Sequence, residues 1–118
     1  MTSLRILIVD DDEDFADGLM EIFELDGHEP KMVHSCRDAI AAVQGGAFDV
    51  ALIDIGLPDK DGAECLGAVR AIRPDLPCFL LTGYSGREVA DQGIKAGAIE
   101  ILTKPIDPNA LSRRLAAI

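Results

Sequence analysis

Short apolar runs that alternate with amphipathic stretches constrain this chain more than any other feature. Leu4 to Val9, Phe48 to Ile55 and Pro77 to Thr82 are nearly continuous apolar segments of strand length, as strands buried on both faces should be. Between them the apolar spacing lengthens to that of a helix. Phe15, Leu19, Ile22 and Phe23 form one stripe that should end near Gly27, and Ala39, Ile40 and Val43 form a second, capped by Ser35 and stopped by Gly45-Gly46. Cys65, Leu66, Val69 and Ile72 follow Asp61 and close at Pro74. A fourth helix is expected over 85–96, carrying Val89, Ala90 and Ile94, and a fifth after the cap Asp107, with Leu111 and Leu115 inward. Two weaker strands complete the pattern, Lys31 to His34 with Pro30 at its start, and Ile99 to Leu102.

The pattern reads as (βα)5: an α/β doubly wound fold with a five-stranded parallel sheet and helices on both faces. Parallel strands need long crossovers, and those crossovers are right-handed. With 118 residues, one domain over 1–118 is expected, long enough to bury its own core. Aromatic residues make up only 4% and tryptophan is absent, so Leu, Ile, Val and Ala must build that core. The start is too short and polar for a signal peptide, and no apolar run reaches membrane-spanning length, so a cytoplasmic location is expected.

Acids outnumber bases 21 to 11, a formal charge of −10, which argues against direct nucleic-acid binding. Part of this excess is local: Asp10, Asp11, Asp12, Glu13, Asp14 and Asp17 crowd into eight positions. Asp12 and Asp14 suit the start of a helix. Asp10 and Asp11 do not have that explanation, because they close a buried strand. Asp54 closes the third strand, Thr82 the fourth, and Lys104 follows the fifth. Ligands of open α/β sheets bind beyond the carboxyl ends of the strands. Clustered carboxylates there would repel by roughly 4 kcal/mol per pair at about 4 Å. A cation would relieve them, and oxygen-only donors in a small site favour magnesium. Asp10, Asp12, Asp14 and Glu21 also match part of a calcium-loop spacing. Phe15 stands where that loop needs glycine, and a strand precedes it, so the match is set aside.

Cys36, Cys65 and Cys78 are scattered and contain no CxxC pair; they are expected to be reduced, mostly buried thiols. His28 and His34 carry no nucleophile signature and are expected at loops or strand ends.

Ile8-Val9-Asp10-Asp11-Asp12, Asp54-Ile55-Gly56-Leu57-Pro58-Asp59-Lys60-Asp61-Gly62, Leu81-Thr82-Gly83 and Lys104-Pro105 resemble, in order and spacing, the signatures of response-regulator receiver domains of two-component signalling. The resemblance runs from about Leu4 to the end. It implies a chemotaxis-regulator-like strand order 2-1-3-4-5, and Asp54 as the nucleophile that takes a phosphoryl group from a histidine kinase phosphohistidine. It further implies Mg²⁺ held by Asp11, Asp54 and the Gly56 carbonyl, with Asp10 acting through water. Thr82 would hydrogen-bond the phosphoryl group, Lys104 would pair with Asp54 or the phosphoryl oxygens, and the Lys104-Pro105 peptide would be cis.

The implied partners are a sensor histidine kinase or phosphotransfer protein, and a second copy through the face of the fourth helix, fifth strand and fifth helix. The chain would be a signalling switch that catalyses its own phosphorylation and slow dephosphorylation, not an enzyme acting on other substrates. Two points depart from the family or compete with it. Ile101 occupies the position where the family often has a switching Tyr or Phe, while Tyr84 is the one tyrosine and a candidate gate. An aspartate-nucleophile phosphatase is the rival reading, but Asp14 stands where such enzymes place Thr or Val, and the chain lacks a substrate-selecting cap.

Overall fold

The computed structural model describes residues 3–83 and 87–117. Five parallel strands lie in the order β2-β1-β3-β4-β5: β1 Arg5–Val9, β2 Glu29–Val33, β3 Val50–Asp54, β4 Cys78–Thr82 and β5 Glu100–Thr103. Five helices alternate with them: α1 Glu13–Leu25, α2 Cys36–Gly45, α3 Gly62–Ile72, α4 Arg87–Ala96 and α5 Pro108–Ala116. β3 and β4 are buried at every position, which explains their uninterrupted apolar sequence.

Alternate strand residues feed two separate cores. Ile6, Ile8, Val50, Leu52, Phe79 and Leu81 pack with Leu19 and Phe23 of α1 and Leu111 and Leu115 of α5. Leu7, Val9, Ala51, Ile53 and Leu80 pack instead with Val43 of α2 and Leu66 and Val69 of α3. The period-two alternation therefore sends one set of strand residues towards α1 and α5 and the other towards α2 and α3.

Local chemistry sets the helix starts. Asp12, Ser35, Asp61 and Asp107 each turn a side-chain oxygen onto a backbone N–H of the first turn. The second strand begins earlier than the sequence suggests, at Glu29, and Pro30 lies inside it. Proline is tolerated there because β2 is an edge strand, paired only with β1. The expected start of the fourth helix at Ser85, and Tyr84 beside it, lie outside the described residues. Ile94 does not join the buried face of α4; it is 57% exposed, and the inward position belongs to Gly93. A Cβ on Gly93 would overlap the ends of Ile101 and Leu80, so the missing side chain is what lets α4 approach the sheet. Ile101 sits half-buried against the core shared with α2 and α3.

The cysteines correct the expectation of three free thiols. Cys36, the first residue of α2, and Cys65, in the first turn of α3, form a disulfide with their Cα atoms 5.6 Å apart. Twenty-nine residues separate them in sequence, so only the packing of α2 on α3 brings them together. Cys78 is free and buried in β4, its thiol pushed up to about 12 by desolvation, with Arg70 opposing. Among the described residues no helix is long and apolar enough to cross a membrane.

Candidate phosphoryl-acceptor site

Strand register brings the candidate residues to one end of the sheet. Asp10 follows Val9, which pairs with Ile53, so Asp10 and Asp54 end adjacent central strands. Asp54 in turn pairs with Leu81, placing Thr82 one step further along β4. Thr82 pairs with Thr103, the residue before Lys104, and the Thr82 carbonyl accepts the Lys104 N–H at 2.7 Å. The Lys104-Pro105 peptide is cis. Asp10 and Thr82 are fully buried, Asp54 nearly so, and Asp11 is exposed.

The Lys104 ammonium lies between two carboxylates, 2.9 Å from Asp10 Oδ2 and 3.2 Å from Asp54 Oδ1. The remaining oxygens also have partners: Asp10 Oδ1 accepts the Asp12 N–H at 2.9 Å, and Asp54 Oδ2 accepts the Gly56 N–H at 3.1 Å. Burial, then the neighbouring Asp10 charge, raise the Asp54 carboxyl above its ordinary 3.8, and Lys104 offsets only part of this. Burial pulls Lys104 downward, but its hydrogen bond to Asp10 and the charges of Asp10 and Asp54 outweigh that and hold it above 10.5. One ammonium thus serves two buried carboxylates, and the site keeps an excess negative charge.

Asp10, Asp11 and Asp54 can each direct one carboxylate oxygen into a cluster whose members lie within 4.8 Å of one another. These are hard oxygen donors only, so the set fits a small divalent cation such as Mg²⁺. Asp10 and Asp54 each have both oxygens engaged by one partner, and each oxygen keeps a lone pair for a cation or a bridging water.

The loop after Asp54 is held tightly. Gly56 bridges Asp61, and Gly62 donates its N–H to the Ile55 carbonyl at 2.8 Å. A Cβ on Gly62 would run into the backbone of Asp54 and Ile55, so no larger residue fits without moving the end of β3. Asp59 accepts the N–H groups of Cys36 at 2.9 Å and Arg37 at 3.0 Å, and these bonds lower its carboxyl below the usual range. It fastens the loop to the start of α2. Its partners lie 22 and 23 residues away in sequence, and no local pattern signals the contact.

Phe15 is a further participant that the sequence does not reveal. Its ring centroid lies 4.4 Å from Lys104 Nζ. The histidines behave as expected: His34 Nδ1 meets the Asp10 carbonyl and His28 Nδ1 accepts the Leu4 N–H, both as local structural contacts.

Parallel order 2-1-3-4-5 with acids at the ends of β1 and β3, a buried hydroxyl on β4 and a lysine after β5 defines a doubly wound α/β domain with its polar cluster beyond the strand ends. The response regulator receiver domain profile matches residues 6–116, and the chain belongs to that family. The chain is 34% identical over 112 residues to the transcriptional regulatory protein ZraR of Salmonella typhimurium, covering 95% of this chain and 25% of that protein. It is 35% identical over 112 residues to the photosynthetic apparatus regulatory protein RegA of Rhodobacter capsulatus, covering 95% and 61%. The chain therefore spans between about a quarter and three fifths of these relatives. The CheY-like receiver domain from Methanospirillum hungatei superposes with a TM-score of 0.93 at 33% identity, covering 98% of this chain and 93% of that one. The BeF3-activated DrrB receiver domain gives 0.89 at 29% identity, covering 98% and 97%.

Proposed function

We propose that this chain, read as one receiver domain over 1–118, accepts a phosphoryl group on Asp54 and works as a two-component signalling switch. The observation that carries the reading is Asp54 itself: a nearly buried carboxylate at the end of a central strand, clustered with Asp10 and Asp11 and joined to Asp10 through Lys104. An Asp54 oxygen attacks phosphorus, the bond from phosphorus to the donor imidazole breaks, and the imidazole leaves with the electron pair and takes up a proton. Lys104 can turn from the Asp54 carboxylate to the phosphoryl oxygens. Thr82 would hydrogen-bond the phosphoryl group. Mg²⁺ held by Asp11, Asp54 and the Gly56 carbonyl, with Asp10 through water, would neutralise charge on the transferring oxygens.

The donor would be a sensor histidine kinase or phosphotransfer protein in the cytoplasm. The response would be a population shift of the α4-β5-α5 face, which would also serve as a homodimer contact. Exposed Ile94 of α4 and Ile99, next to the start of β5, support this part of the reading. With Ile101 at the usual aromatic position, the shift would proceed by repacking beneath Gly93 instead of by rotation of an aromatic ring. Phosphorylation and slow dephosphorylation would be self-catalysed, with no turnover of other phosphate esters.

Incubation with Mg²⁺ and acetyl phosphate should add one phosphoryl group, seen by intact mass. Asp54→Asn should abolish the addition, and an unchanged mass shift in that variant overturns the assignment.

A further inference from the structure

Four contacts around Lys104 close into a ring. Asp10 Oδ1 accepts the Asp12 N–H at 2.9 Å, and Asp12 Oδ1 accepts the Phe15 N–H at 3.2 Å as the cap of α1. The Phe15 ring lies under the Lys104 ammonium at 4.4 Å, and that ammonium donates back to Asp10 Oδ2 at 2.9 Å. Phe15 also packs against the core shared by α1 and α5, so both its backbone and its ring are held. An aromatic face at this distance attracts a cation without competing for its hydrogen bonds.

We propose that Phe15 is a positioning residue for phosphoryl acceptance, acting through Lys104. The proposal rests on the receiver reading above. As Asp54 Oδ bonds to phosphorus and the donor's bond to phosphorus breaks, Asp54 ceases to be a full carboxylate partner for the ammonium. Asp10 and the Phe15 ring remain. Together they hold the ammonium at the height of the incoming phosphoryl oxygens and limit its excursion into solvent, to which the Lys104 side chain is still 22% exposed. A flexible four-carbon stem would otherwise have to be ordered at the moment of reaction.

The test is a double-mutant cycle on the rate of phosphorylation by acetyl phosphate with Mg²⁺, followed by intact mass. Phe15→Leu keeps an apolar side chain of helical preference but removes the π face, and should slow the reaction about fivefold. Phe15→Tyr should restore most of the loss. In a Lys104→Met background, itself slower than the parent, Phe15→Leu should have no further effect. Equal slowing in both backgrounds would mean a merely structural role and overturn the proposal. So would a parent-like rate for Phe15→Leu or Lys104→Met, or a Tyr variant as slow as the Leu variant.

A second measurement does not depend on phosphorylation. The Lys104 Cε protons should resonate upfield in the parent because of the ring current, and return to ordinary positions in Phe15→Leu. Ordinary positions in the parent overturn the proposed geometry. Failure of the parent to gain a phosphoryl group, with the upfield shift present, would instead overturn the receiver reading and the positioning role together.

Discussion

Lys104→Met should destabilise the metal-free protein, because it leaves two buried carboxylates facing each other with their bridging cation removed. Methionine keeps much of the apolar stem and removes only the charge. At an effective dielectric near 20, the ammonium attracts each carboxylate by about 5 to 6 kcal/mol at the observed 2.9 and 3.2 Å. The two carboxylates repel by about 3.5 kcal/mol at 4.8 Å, the outer limit of their cluster. These gross figures overstate the effect, since burying the ammonium has its own desolvation cost. Breaking a buried pair by removing one partner typically costs about 3–5 kcal/mol. Lys104 keeps partial solvent access, so roughly 2–4 kcal/mol is expected.

Urea unfolding at pH 7 in chelator measures the loss, and thermal melts should show a fall on the order of 10 °C. The sign of the pH dependence is also fixed. Asp54 titrates above its ordinary 3.8 in the fold, and without Lys104 it should do so more strongly. The stability linked to its neutral form is complete below 3.8 and is lost as pH rises through the folded value. The deficit of Lys104→Met should therefore be largest at neutral pH and shrink on acidification. Adding Asp54→Asn, or millimolar Mg²⁺, should recover part of it. A deficit under about 0.5 kcal/mol at pH 7, or one that grows as pH falls, refutes the reasoning, since it would place the loss within the range of an ordinary surface change.

Two other substitutions probe the loop after Asp54. Gly62→Ala should cost at least about 2 kcal/mol in urea unfolding, because its Cβ has only the backbone of Asp54 and Ile55 to displace; a neutral result would contradict the close approach. Asp59→Asn should flatten the acid limb of the stability curve. The Asp59 carboxyl is lowered by the Cys36 and Arg37 N–H bonds, so its contribution is present above 3.8 and lost as pH falls through the folded value. Parallel acid-unfolding curves for parent and variant would remove Asp59 from this role.

The sequence alone determined the architecture of the chain. Runs such as Leu4 to Val9 and Pro77 to Thr82 admit few readings other than strands buried on both faces, and caps such as Ser35, Asp61 and Asp107 announce helix starts through chemistry that acts within three residues. The candidate acids, hydroxyl and lysine were legible because they interrupt apolar runs at their ends, where a charged residue needs a reason. Tertiary structure decided what depends on contacts between distant segments. The Cys36–Cys65 bond, the hold of Asp59 on α2 and the seat of Lys104 over Phe15 join residues 29, 23 and 89 positions apart. No local preference encodes such pairings. Ile94 and Gly93 make the same point within one helix: both suit the sequence of α4, but the packing of Leu80 and Ile101 leaves room inward only for the residue without a side chain.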